Sequence, residues 1–80
     1  MKIYLNCFSQ VKYALNSDEL VIELEEGKTA SDLEKIIRKK TGKKLEGIAV
    51  QIAVNKEYSD GSTVLSDSDE VALIPPVQGG

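Results

Sequence analysis

The chain has no histidine and a single cysteine among its 80 residues. Those two scarcities exclude most of the chemistry that a small protein performs unaided. A zinc site built on Cys/His spacing needs several such ligands. Ser-His-Asp and Cys-His nucleophilic machinery needs an imidazole base. An iron–sulfur cluster needs more than one thiolate. One cysteine forms no intrachain disulfide, which suits a reducing compartment and sets the expectation of a cytoplasmic protein. Cys7 falls in an alternating run, where a cysteine serves as a small buried hydrophobe rather than a nucleophile.

Long apolar runs are also missing. No segment approaches the roughly 18 apolar residues of a membrane span, and the opening Met1-Lys2-Ile3-Tyr4-Leu5-Asn6 lacks the apolar stretch of a secretory signal. No membrane association is expected. Basic residues are in the minority, 10 against 13 acidic, for a net charge of −3. That balance disfavours nucleic acid as a ligand, because phosphate binding needs a basic face. The local exception, Arg38-Lys39-Lys40 with Lys43-Lys44, reads as cations placed at the negative end of a helix dipole.

What is present is enough apolar content, 41%, to build one domain near the lower size limit for an independent core. Residues 2–8 alternate with period 2: Ile3, Leu5 and Cys7 point inward, and Lys2, Tyr4, Asn6 and Phe8 point outward, as in a half-buried strand. Residues 10–17 read as polar with scattered apolar residues, ending in a turn at Asn16-Ser17-Asp18. Alternation returns at 20–24, with Leu20, Ile22 and Leu24 inward. Residues 29–40 read as a helix. Thr29 is its N-cap, Asp32 completes a capping-box-like pair, and Ala30, Leu33, Ile36 and Ile37 share one face. Lys39, Lys40 and Gly42 mark its end. Residues 48–54 are rich in β-branched side chains and read as a central strand. Tyr58 begins a short edge strand, and Glu70 to Ile74 form the last strand after a turn at Asp67-Ser68-Asp69.

Two strands, a helix and two or three further strands make an α+β layer pair, a mixed sheet covered on one face by the helix. The first and last strands are expected at its centre, mutually parallel. This is the β-grasp, or ubiquitin-like, arrangement, with a domain at residues 1–76 and a flexible tail at 77–80. The tail is the most informative stretch. Pro75-Pro76 fixes φ twice and removes two backbone donors, so an extended arm is expected to leave the last strand at Ile74. Val77-Gln78-Gly79-Gly80 then offers a slim end, expected to finish in the bare carboxylate of Gly80, able to thread a narrow tunnel in another protein.

The stretch from Leu65 through Glu70-Val71-Ala72 to Pro75-Pro76-Val77-Gln78-Gly79-Gly80 resembles the end of the small subunit of molybdopterin synthase, a sulfur carrier of the ubiquitin-like MoaD/ThiS family. That family reads L-x-D-G-D-E-V-A, two apolar residues, then P-P-V-x-G-G. Val54-Asn55, Phe8 and the helix opening at Thr29 also fit. Two places differ: Ser68 stands where the family has a turn glycine, and residues 12–16 lack the family's R-E-x-x-G pattern. A terminal Gly-Gly is shared with thiamine-pathway carriers, tRNA-thiolating proteins and ubiquitin. A carrier for thiazole or tRNA and a ubiquitin-like modifier of lysines are therefore the alternatives.

The resemblance implies a chemistry for the tail. A free carboxylate is a poor electrophile. Joined to AMP it becomes a mixed anhydride, from which sulfur displaces AMP to leave a thiocarboxylate. ATP and magnesium would be used by an adenylating enzyme of the ubiquitin-activating type. A sulfurtransferase or cysteine desulfurase would be the sulfur donor. The large subunit of molybdopterin synthase, joined in a heterotetramer, would pass sulfur to the pterin precursor to build the dithiolene. This chain would bind no cofactor or metal and act as a co-substrate subunit. By position, Phe8, Tyr58 and Ile74 match apolar residues that contact both partners. Leu73, Pro75 and Pro76 complete the expected partner interface.

Overall fold

A computed structural model describes residues 1–76. The elements in chain order are β1 (Lys2–Cys7), α1 (Ser9–Leu15), β2 (Glu19–Glu23), α2 (Ala30–Thr41), a 3-10 turn (Gly42–Leu45), β3 (Gln51–Val54), β4 (Glu57–Ser59) and β5 (Glu70–Ile74). The five strands form one mixed sheet in the order β2-β1-β5-β3-β4. Two antiparallel hairpins, β1–β2 and β3–β4, flank the central β5. β5 runs parallel to β1, with Cys7 opposite Leu73. It runs antiparallel to β3, with Gln51 opposite Ile74. The fold is the expected α+β β-grasp, with the first and last strands adjacent at the centre.

The inward phase of each strand builds the core. Ile3, Leu5 and Cys7 of β1 and Val71 and Leu73 of β5 are buried against Leu33 and Ile37 of α2. α2 begins as the sequence indicates. Thr29 adopts extended backbone and its hydroxyl accepts from the Asp32 N–H at 3.2 Å, while the Asp32 carboxylate accepts from the Thr29 N–H at 2.9 Å. This reciprocal pair satisfies two donors that a helix start otherwise leaves unpaired. The expected buried face is narrower than read. Ala30, Leu33, Ile37 and Thr41 are buried, whereas Ile36 is 40% exposed.

Three local expectations need correction. Residues 10–17 are not irregular. Most of that stretch is α1, which buries Val11 and packs Ala14 and Leu15 against the core before Asn16 ends it in the left-handed region at φ 56°. β3 begins at Gln51 rather than at residue 48, because the chain after α2 first makes the 3-10 turn. Arg38 holds that segment: its guanidinium donates to the carbonyls of Leu45 at 2.9 Å and Ile48 at 2.6 Å, and to Glu34 at 2.7 Å. Arg38 is therefore a structural clamp and not one more solvated cation at a helix end.

Candidate functional site around the root of the C-terminal arm

Sheet alternation decides what flanks the arm. β5 turns Val71 and Leu73 into the core, leaving Ala72 and Ile74 half-buried on the side away from α2. The register sets Asn6 of β1 and Ala53 of β3 on either side of Ala72, and Tyr58 of β4 beyond Ala53. Two alanines thus floor a shallow depression. Phe8, Tyr58 and Ile74 wall it, and Lys56 and Glu70 stand at its rim. Phe8 is 47% exposed and Tyr58 75% exposed. Of the residues expected at a partner surface, Phe8, Tyr58 and Ile74 are therefore brought to one groove by three different strands or strand ends.

A second groove opens on the other side of the arm root. Phe8, Ile74, Pro75 and Pro76 form one wall, and Lys12 and Tyr13 of α1 form the other. Ser9, the first residue of α1, sits at φ 45°, a region that non-glycine residues seldom occupy. Its turn sends the chain from the outer sheet face, where Phe8 lies, into α1. Lys12 is held by Asp18 at 2.8 Å, and that hydrogen bond pushes the ammonium above its ordinary value. Sequence reasoning did not single out Tyr13. The signal was the helical spacing of Val11, Ala14 and Leu15, which turns Tyr13 outward.

Two expectations about the arm root are revised. Leu73 is no surface residue: at 1% exposure it belongs to the core, because it shares the inward phase of Val71. Pro75 is buried and only Pro76 is exposed, so the first proline anchors the arm root while still lining the second groove. Val77, Gln78, Gly79 and Gly80 lie outside the described residues.

Cys7 is buried opposite Leu73. Burial, and secondarily the Asp18 carboxylate, push its thiol above the ordinary value. A thiol in that setting is a poor nucleophile, since the thiolate is the reactive form. Among the described residues, no group of three or more His, Cys, Asp or Glu is arranged to hold a metal ion. No helix there is long and apolar enough to cross a membrane.

The sheet order, the single long helix and the arm leaving the central strand define a β-grasp protein of the ubiquitin-like class. The chain belongs to the ThiS family, whose model matches residues 7–80. It is 26% identical over 81 residues to the molybdopterin synthase sulfur carrier subunit of Arabidopsis thaliana, covering 100% of this chain and 84% of the relative. Among solved structures it is similar to a putative molybdopterin converting factor subunit 1 from Pyrococcus furiosus. That match has a TM-score of 0.84 and 31% identity over 96% of this chain and 99% of the other. It is also similar to a chain in the complex of subunits 1 and 2 of the molybdopterin-converting factor from Helicobacter pylori, with TM-score 0.69, 27% identity and complete coverage of both chains.

Proposed function

We propose that this chain is the sulfur carrier of a molybdopterin synthase, and that its working group is the carboxylate of Gly80. The observation that carries the reading is the position of Pro75-Pro76: they follow directly from β5, the strand paired on both sides at the centre of the sheet, beside two grooves that share Phe8 and Ile74. A rigid root allows a partner to locate the arm, and residues without side chains allow it to approach the terminal carbon closely. Membership of the ThiS family and the named function of the Arabidopsis relative support the same reading.

The reaction sequence balances without a catalytic residue on this chain. The Gly80 carboxylate attacks the α-phosphorus of ATP, held with magnesium by an adenylating enzyme, and releases pyrophosphate. A persulfide sulfur carried by a cysteine desulfurase or sulfurtransferase displaces AMP to give an acyl disulfide, and a second thiol cleaves the S–S bond, leaving the thiocarboxylate on Gly80 and a disulfide on the donor side. The large synthase subunit then takes the arm, and sulfur passes to the pterin precursor. Freezing four arm residues costs about 1–2 kcal/mol each. Pro75-Pro76 lowers the total by fixing the first bonds of the arm beforehand.

The test is intact mass after incubation with ATP, an activating enzyme and a sulfur source, followed by transfer with the purified large subunit. A sulfur-for-oxygen mass gain and dithiolene formation are expected. Deleting Gly80 withdraws the carboxylate by about 3.3–3.6 Å, more than a reacting geometry tolerates, so both steps should be lost while the fold and subunit affinity persist. Near-normal transfer by the deletion variant would overturn the assignment. Isopeptide-linked products in place of a thiocarboxylate would instead identify a ubiquitin-like modifier. A thiocarboxylate that the large subunit ignores would point to thiazole or tRNA thiolation.

A further inference from the structure

The sheet ends in two outer strands, β2 and β4. β4 is only three residues long, and shortness is one device that blunts an exposed edge. β2 has five residues, contains no proline, and pairs with β1 in one unbroken register from Glu19 to Glu23. Shortness, proline and a bulge, common protections of an edge, are all missing there.

The hydrogen-bond phase identifies the groups that this edge presents. The Leu24 N–H donates to the Met1 carbonyl at 2.9 Å, and the Met1 amino group donates to the Leu24 carbonyl at 2.7 Å. At the other end the Cys7 N–H donates to the Asp18 carbonyl at 2.8 Å. Bonded positions recur every second residue in an antiparallel pair, so residues 18, 20, 22 and 24 turn their backbone groups toward β1. The N–H and C=O groups of Glu19, Val21 and Glu23 point the other way, to the open edge. These three residues also carry the exposed side chains of β2, on the sheet face away from α2. Val21, 55% exposed, lies opposite Tyr4, 41% exposed. An apolar pair thus reaches the edge, with a carboxylate two residues to either side.

The charge of the edge is one-sided. Residues 18–26 include Asp18, Glu19, Glu23, Glu25 and Glu26 but no lysine or arginine. On the paired side Glu23 has Lys2 opposite and Glu19 has Asn6, yet neither ion pair found among the described residues uses Glu19 or Glu23. The two glutamates keep copies of this chain apart. In a second copy added antiparallel about Val21, Glu19 and Glu23 lie opposite one another twice, and like charges directly opposite are destabilising. They do not close the edge to a strand of the other sign. The edge is also separate from the root of the arm: β2 is two strands from β5, and Glu19, Val21 and Glu23 line neither groove there.

We propose that the open edge of β2 docks an extended segment of another protein, one with a basic residue two positions to either side of an apolar one. The segment adds antiparallel as a sixth strand. Its apolar residue exchanges both backbone bonds with Val21 and prolongs the Tyr4–Val21 stripe. Its two cations meet Glu19 and Glu23. Main-chain bonds supply affinity in such strand addition, and alternate side chains supply the choice of partner. The inference is independent of the sulfur-carrier reading.

The test is a nuclear magnetic resonance titration of the full chain with the capped peptide Thr-Lys-Thr-Val-Thr-Lys-Thr. The amides of Glu19, Val21 and Glu23 should shift, and with peptide at about ten times its Kd their exchange with solvent should slow about tenfold. Replacing both peptide lysines by glutamate should weaken binding about tenfold. Replacing the peptide valine by proline should abolish it, because the donor to the Val21 carbonyl is lost. The double variant Glu19→Lys with Glu23→Lys, checked for folding by its melting curve, should prefer the glutamate peptide. No shift or slowing in β2 at millimolar lysine peptide would overturn the proposal, as would a double variant that keeps the wild-type preference. Shifts confined to Phe8 and Ile74 would put the peptide in the arm-root groove instead. Concentration-dependent dimerisation of the chain alone, with the β2 amides protected, would make the occupant a second copy and equally overturn it.

Discussion

Asn55 and Asp69 are joined by a hydrogen bond of 2.9 Å from the Asn55 side-chain amide to the Asp69 carboxylate. The Asn55 side-chain oxygen also accepts from the Glu70 N–H at 3.0 Å, and its own N–H donates to the Glu70 carbonyl at 2.7 Å. The tip of the β3–β4 hairpin is thereby fastened to the first residue of β5, the strand that ends at the arm. Asn55 holds φ 50°, which asparagine tolerates better than most residues. Asn55→Ala should destabilise the fold by about 1–2 kcal/mol through lost hydrogen bonds and an unfavourable backbone. Asn55→Gly should cost less, since it removes only the amide. Urea unfolding midpoints of the two variants check the ranking.

Ser68 holds φ 71°, and its N–H donates to the Lys2 carbonyl at 2.7 Å. This is the turn position where the family pattern has glycine. Ser68→Gly removes the Cβ conflict of the left-handed region and keeps the backbone bond. It should stabilise the fold by about 0.5–1 kcal/mol, measured as a rise in the unfolding midpoint. A loss of stability would mean that the Ser68 side chain contributes more than its backbone strain costs.

Cys7 should prove structural. Cys7→Ala should cost about 1 kcal/mol for a small cavity and leave sulfur transfer intact. In the native wild-type protein, a thiol reagent should react with Cys7 far more slowly than in urea, because burial raises its ionisation above the ordinary value.

Acid should unfold the protein through a small set of carboxylates. Hydrogen bonds from the Thr29 N–H and hydroxyl lower Asp32, those from the Ser62 hydroxyl and N–H lower Asp60, and the Lys2 N–H lowers Asp67, each below the ordinary carboxylate value near 3.8. A carboxylate lowered in the folded state adds stability above its unfolded value, and that stability is lost as pH falls through the folded value. Stability should therefore be flat on the acid side of neutrality and decline below about pH 4. Asp32→Asn should flatten part of that decline, which thermal melts across the acid range would record.

Phe8→Asp and Ile74→Asp should each weaken binding to the large subunit and to the activating enzyme while the melting profile is retained. Phe8 is half-exposed and Ile74 half-buried on the outer face, so a carboxylate at either position meets the partner rather than the core. Unchanged affinity of both variants would remove the sheet-side groove from the interface.

The strands and α2 were legible because their signals are local. Period 2 in Ile3, Leu5 and Cys7, and the Thr29–Asp32 cap, need no knowledge of the rest of the chain. α1 was not legible, since Ser9, Asn16 and Ser17 are turn formers and its helix depends on burying Val11 in a core assembled elsewhere. Leu73 could have been kept from the surface by the period-2 alternation that puts it in phase with Val71. The sheet-side groove could not be read directly: Phe8, Tyr58 and Ile74 are distant in sequence and meet only through the sheet order. Arg38 was masked by its neighbours, because nothing in a run of cations marks the one whose guanidinium reaches the Leu45 and Ile48 carbonyls.

The parallel pairing of β1 with β5 has a consequence during synthesis. Each hairpin reaches the rest of the sheet through β5, so neither half has its neighbour until the last strand has been made. Contacts between the two ends of a chain form late, because long loops must close first. A chain interrupted before Glu70 lacks the central strand and leaves Ile3, Leu5 and Ile52 uncovered along one edge. Quality control is thus built into the topology: a nascent chain becomes a compact carrier only after the segment that roots its arm has been translated, so a well-folded product without that root does not arise.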